Sequence, residues 1–195
     1  MITFTPPKKK MIHALSDLVA LIPHPQLRKL TDRVLTAAPT AFWQAPASTS
    51  GKYHPAECRQ RGGLVKHTRA VFVIAKALMA AFGYTEKEDR YSVVLAGALL
   101  HDSHKVLTPE ALTTFEHPLL AAAVIGEQTD EMSFTNLAVV PELQHVVAAH
   151  MGRWNTSRHS DTKLLLPESE AALILHLADL IASRPQVHVD TEPKA

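Results

Sequence analysis

Cysteine is almost missing. Cys58 is the only one in 195 residues, so no disulfide can close within the chain and a disulfide-stapled scaffold is excluded. Net charge is nearly missing too. Lys plus Arg is 20 and Asp plus Glu is 19, a formal +1. That balance does not supply a broad basic surface for nucleic acid, although a local basic pocket stays compatible with it. No run reaches the roughly 18 uninterrupted apolar residues of a membrane helix. His13 and Asp17 interrupt the stretch behind the Lys8–Lys10 triplet, which reads against a secretory signal and for a cytoplasmic protein. Glycine is scarce, at 7, and no stretch alternates convincingly as a strand. Hydrophobic residues at 46% and charged residues at 20% fit one ordinary globular domain and exclude a disordered or fibrous chain.

What is present is helical patterning. Leu15, Leu18, Val19 and Ile22 share a face, predicting a helix over Met11–Ile22 that Pro23 and Pro25 stop; Gln26–Ala38 follows as a second. From Pro39 to Gly63 the pattern dissolves into a long loop carrying Trp43, Tyr53, His54, Cys58, Arg59 and Arg61. Leu64–Phe82 is the clearest helix and Gly83 ends it. Thr85-Glu86-Lys87-Glu88 has the form of a capping box opening a helix to about Leu100. Thr108-Pro109-Glu110 looks like another helix start. Glu116–Gln128, Pro141–Met151 and Glu168–Ser183 read as further helices, with a polar loop over Gly152–Pro167 and a frayed tail beyond Pro185. The expectation is an all-α fold. Residues 1–52 form N-terminal helices and a loop packed on the domain, 53–184 the domain proper and 185–195 the tail.

The unusual component is histidine, with 12 residues against 6 Phe and 2 Trp. Several ionisable residues stand where helices normally place apolar ones. His67 lies on the stripe of Leu64, Val71 and Ile74. His101 and Asp102 end the run Val93–Leu100. His150 follows Leu143, Val146 and Val147, and Asp179 follows Leu173, Leu175 and Ala178. A lone buried imidazole is usually a satisfied core group. A set of them with carboxylates, on several helices, is how helical bundles build metal sites.

The order His67, then His101-Asp102, then Asp179 resembles the H…HD…D signature of the HD-domain phosphohydrolase superfamily. Leu99-Leu100-His101-Asp102-Ser103-His104-Lys105 resembles a segment of its binuclear branch, as do Glu116-His117-Pro118-Leu119-Leu120-Ala121-Ala122 and Ala149-His150-Met151-Gly152. Gly62-Gly63-Leu64-Val65-Lys66-His67-Thr68 is similar to the opening seen in HD-domain 3′-to-5′ exoribonucleases. The small symmetric diadenosine tetraphosphate hydrolases have similar segments and length. The resemblance spans roughly Tyr53 to Arg184 and departs in two places. His104 stands where relatives carry Gly or a small residue, and Met151 where some carry a second His. No Gly-Tyr-Pro segment of the cyclic-dinucleotide phosphodiesterases is present.

The resemblance implies a single HD-domain helical bundle and a metal-dependent phosphohydrolase. Its substrate would be a nucleotide or short oligonucleotide, cut at a phosphoester or phosphoanhydride bond. His67, His101, Asp102 and Asp179 would hold one metal, and Asp102 would bridge to a second held by His117 and His150. Imidazole with carboxylate suits two divalent ions of Fe, Mn, Co, Ni or Zn. Asp102 and Lys105 are the expected catalytic residues, and Lys105, Arg153, Trp154, Arg158 and Arg184 the expected substrate contacts. His54, His104 and His176 are weaker candidates: a loop histidine within reach, a pocket-mouth residue and a partner behind the ligands. Two rivals share the ligand set: an HD-fold di-iron oxygenase and a non-catalytic metal-binding regulatory module. No membrane partner and no extended nucleic-acid surface is expected, and a homo-oligomer is left open.

Overall fold

The computed structural model describes residues 8–48, 52–108, 113–130, 132 and 138–191, with residues 8–13 described by backbone alone. Seven α-helices stand among the described residues: α1 (Lys8–Val19), α2 (Pro25–Ala37), α3 (Gly63–Ala81), α4 (Asp89–Leu100), α5 (His117–Asp130), α6 (Val139–Ala148) and α7 (Glu170–Ala182). The described residues hold no strand, only an isolated bridge between Ser157 and Ser160. The fold is all-α.

Helix α4 is the hub. Every residue from Tyr91 to Leu100 is buried, and α4 packs against α1, α2, α3, α6 and α7. At Gly97 an added Cβ would meet Val146 Cγ1 at 2.9 Å and Leu175 Cδ2 at 3.3 Å, so the glycine allows α6 and α7 to close on it. Helix α5 lies on α2 and α6, where Gln144 Nε2 donates to the Ala122 carbonyl.

The helix ends differ from the sequence expectation for local reasons. α1 ends at Val19 because Leu21 and Ile22 donate to carbonyls three residues back, tightening the chain before Pro23. α2 starts at Pro25, with His24 as its cap: Nδ1 accepts from the Leu27 amide. The Thr85–Glu88 box forms a turn, not a helix start. Glu88 reaches back to the Thr85 amide at 2.8 Å, but its own backbone is extended, so the helix begins at Asp89. Pro141 falls in the first turn of α6, where its missing N–H costs nothing. The expected helix start at Pro109–Glu110 lies outside the described residues.

The described parts of the 39–63 segment, 39–48 and 52–63, are packed more closely than an open loop. Ala47 N donates to Cys58 O, Gly62 N to Gln44 O and Leu64 N to Ala45 O. Phe42 and Trp43 are buried edge-to-face. An added Cβ at Gly63 would lie 2.0 Å from the Cys58 carbonyl oxygen, so only glycine lets this segment cross the start of α3. Nor is the chain frayed straight after Pro185. Val189 packs on the core, and the Arg69 guanidinium donates to Thr191 O while forming a bidentate pair with Asp17 of α1.

Candidate metal centre

Six side chains meet below one end of the bundle. Two come from within helices: His67 from the first turns of α3 and Asp179 from α7. The others sit at helix ends rather than on helix faces. His101 and Asp102 follow α4, His117 opens α5, and His150 follows α6 after its hydrogen-bonding tightens to three-residue spacing. The termini explain the placement. The last carbonyls of a helix lack intrahelical partners, and here imidazoles take them. Nδ1 of His101 bonds Ala98 O at 2.9 Å, and Nδ1 of His150 bonds Val147 O at 2.8 Å. Ahead of α5, Nδ1 of His117 bonds Thr114 O at 2.6 Å. A carbonyl can only accept, so each of these Nδ1 atoms carries a proton and each ring turns its Nε2 inward.

Asp102 lies between them. Its Oδ1 is 3.0 Å from His117 Nε2 and 3.7 Å from His150 Nε2. Its Oδ2 is 3.4 Å from His101 Nε2, 3.8 Å from His67 Nε2 and 2.7 Å from the Lys105 ammonium. Asp179 Oδ1 is 3.0 Å from His67 Nε2 and 4.0 Å from His101 Nε2. The donors therefore form two clusters, His67–His101–Asp102 and Asp102–His117–His150, which share the aspartate. Asp179 stands beside the first.

This donor set fits divalent cations. His67 Nδ1 is buried without a hydrogen-bond partner, and His67 Nε2, His101 Nε2 and Asp102 Oδ1 are buried beside polar neighbours without an aligned hydrogen bond. His117 and His150 face each other Nε2 to Nε2 at 3.2 Å. That puts two imidazole nitrogens and a carboxylate oxygen within reach of one ion, a donor set suited to a divalent cation. Burial would lower His101, but Asp102 outweighs it and raises the imidazole above its ordinary value. Burial and the neighbouring His101 and His117 push His150 down to about 3, keeping it neutral. Burial would raise Asp102, but Lys105 and His101 outweigh it and hold the carboxylate well below its usual range. Asp179 is likewise held low, His67 overcoming its burial.

Residues 64–184 match the HD domain family. The chain belongs to that family. It is also similar to the 3′-5′ exoribonuclease YhaM of Halalkalibacterium halodurans, with 27% identity over 185 residues, 89% of this chain and 52% of that protein. The chain thus spans about half the length of that curated relative. No solved structure matches.

Beside the HD cluster a cavity of about 420 Å³ opens to solvent, lined in part by Tyr53, His54, Lys105, Trp154, Asp179 and Arg184. Of the expected substrate contacts, Lys105, Trp154 and Arg184 line it. Arg153 does not; its guanidinium lies over the Trp154 ring, 4.6 Å from the centroid. Nor does Arg158, which is exposed and bonded to His159. His104 is buried against Ser103 Oγ rather than lining the mouth, because the chain turns inward after α4. His176 acts behind the ligands: its Nδ1 bonds His150 O at 2.8 Å, and its ring fills the space over Gly152, where a Cβ would be 2.3 Å from Cε1.

Tyr53 was not expected at the cavity, and His54 only as a loop histidine within reach. They come from the irregular 39–63 segment, where no periodicity reports direction. The available signal was proximity in sequence to the Gly62-Gly63 start of α3. His54 is buried with its ring edge-on to His67, centroids 4.8 Å apart. Burial, and then the nearby His67 and Lys105, push it down to about 3.

Proposed function

We propose that this HD domain is a metal-dependent phosphodiesterase acting on the end of a short oligonucleotide, with nucleotides as the wider substrate class. The observation that carries this reading is the division of the Asp102 oxygens between two histidine pairs beside a cavity lined by both cations and aromatics. His67, His101, Asp102 and Asp179 would hold one divalent ion, and Asp102, His117 and His150 a second. Bound ions of this kind acidify water for attack at phosphorus and draw charge from the phosphoryl oxygens.

The protein's own groups supply the rest. Lys105 and Arg184 bring positive charge to the phosphate from two sides. Trp154, with Arg153 stacked on its face, and Tyr53 offer flat surfaces at the mouth for a base. His176 holds the His150 carbonyl, and so couples the ligand turn to the loop that carries Trp154. A cavity of about 420 Å³ suits one terminal nucleotide unit better than a duplex, and a net charge of +1 gives no broad basic excess for a longer strand. The exoribonuclease relative agrees with this substrate.

The test is a product screen with Mn²⁺-loaded protein against short RNA, dinucleoside polyphosphates, cyclic dinucleotides and nucleoside triphosphates. Stepwise release of mononucleotides from RNA is the expected result. Cleavage confined to polyphosphates would move the activity to phosphoanhydrides. Oxygen uptake without phosphoester cleavage would overturn the reading in favour of the oxygenase.

A further inference from the structure

His54 is absent from both donor clusters, yet it is buried at the boundary between the HD cluster and the cavity. We propose that its ring donates a hydrogen bond from Nε2 to a phosphoryl oxygen of the bound substrate, a role that rests on the phosphohydrolase reading above.

Three features lead there. The first is fixation. The Arg59 Nε–H donates to the His54 carbonyl at 2.6 Å, Pro55 restricts the backbone on its other side, and the ring stands edge-on against His67 at 77°. A side chain that merely filled space would not need this anchoring in an otherwise irregular segment.

The second is the tautomer. Nδ1 is wholly buried and has no hydrogen-bond partner. A neutral imidazole has one N–H and one lone pair. Leaving an N–H buried and unpaired costs more than leaving an acceptor so, which assigns the proton to Nε2. His54 lines the cavity and Nε2 is not among its buried, unpartnered atoms, so Nε2 is the nitrogen we assign to the cavity side.

The third is what else surrounds that space. Lys105 and Arg184 supply charge but are tied down, Lys105 to Asp102 and Arg184 to Leu180 O and Ser183 Oγ, and of the six candidate ligands Asp179 is the one that lines the cavity. A short donor on an anchored backbone beside them would fix the direction in which a phosphoryl group lies. That alignment is what an in-line displacement requires.

The experiment compares H54L and H54Q with wild type, using Mn²⁺-loaded protein. Equilibrium binding of inorganic phosphate and of adenosine monophosphate is measured beside metal content, thermal stability and turnover of a short RNA. Leucine keeps volume without a donor; glutamine returns an N–H near the Nε2 position. H54L should weaken phosphate and nucleotide binding by about ten- to a hundredfold, as for a lost hydrogen bond to a charged group. H54Q should stay within about threefold of wild type, and both variants should keep full metal content. Wild-type binding by H54L would overturn the proposal. So would equal losses in H54L and H54Q, or loss of metal or stability in both, which would make His54 a buttress for His67. If wild type binds phosphate and H54L does not, but neither cleaves RNA, the assignment of His54 stands and the phosphodiesterase reading falls. If wild type binds neither probe, both fall.

Discussion

Each oxygen of Asp102 faces a different pair of imidazoles, so no other single side chain touches as much of the centre. Asp102→Asn keeps the shape but removes the charge and replaces one oxygen with an N–H donor. We expect bound metal to fall by at least about a hundredfold in affinity, beyond what loss of an outer-shell partner costs, with the helical circular dichroism retained. Elemental analysis after gel filtration checks it; stoichiometric metal in the variant would remove Asp102 from the ligand set. Trp154 probes the other side of the site. It is 41% exposed at the cavity mouth, with Arg153 on its face. Trp154→Ala should raise KM for a short RNA roughly ten- to a hundredfold, the equivalent of one lost stacking contact, at unchanged metal content. Arg158→Ala serves as the contrast, since that side chain does not line the cavity, and steady-state kinetics should leave it near wild type.

At the scale of helices, α1 is tied to α3 and to the 185–191 segment through one guanidinium: Arg69 meets Asp17 at 2.7 Å and also donates to Thr191 O. The hydrogen bonds from Arg69 hold the Asp17 carboxyl below its ordinary value. A lowered folded-state pKa adds stability that is complete above the unfolded value and is lost as pH falls through the folded one. Asp17→Asn should therefore cost about 0.5–1 kcal/mol at pH 7, a range that allows for a half-exposed pair. The cost should shrink as pH drops below about 4; urea unfolding of both proteins across that range measures it. The helices themselves were legible in sequence, because stripes such as Leu15, Leu18 and Ile22 follow the helical repeat. Their ends were less so. Glu88 capping back to Thr85 and the tightened turn before His150 depend on which carbonyls the fold leaves free. The motif positions around His101 and Asp102 stood out as ionisable groups among apolar neighbours. Tyr53 and His54 did not, because contacts between Ala47, Cys58 and Gly63, distant in pattern though near in sequence, set the path of their segment.

Over the whole molecule, the matched region begins at residue 64, but α1 and α2 pack on α4 and His54 borders the cavity. We therefore regard the N-terminal helices as part of the same folding unit. Metal should then stabilise the entire unit: at one hundred times Kd, binding adds about 2.7 kcal/mol, which at this size corresponds to roughly 5–10 °C in Tm. Scanning calorimetry with Mn²⁺ and with excess chelator tests this, and identical transitions would count against a native metal site. The burial of α4 along Tyr91–Leu100 adds a consequence in time. Amides enclosed on all sides exchange with deuterium only when the whole domain opens, not by fraying. His101 and Asp102 ride on the end of that helix. Their positions are thus inherited from the most enclosed helix of the domain, whose amides should be the slowest to exchange, while Tyr53 and Trp154 stand exposed at the rim.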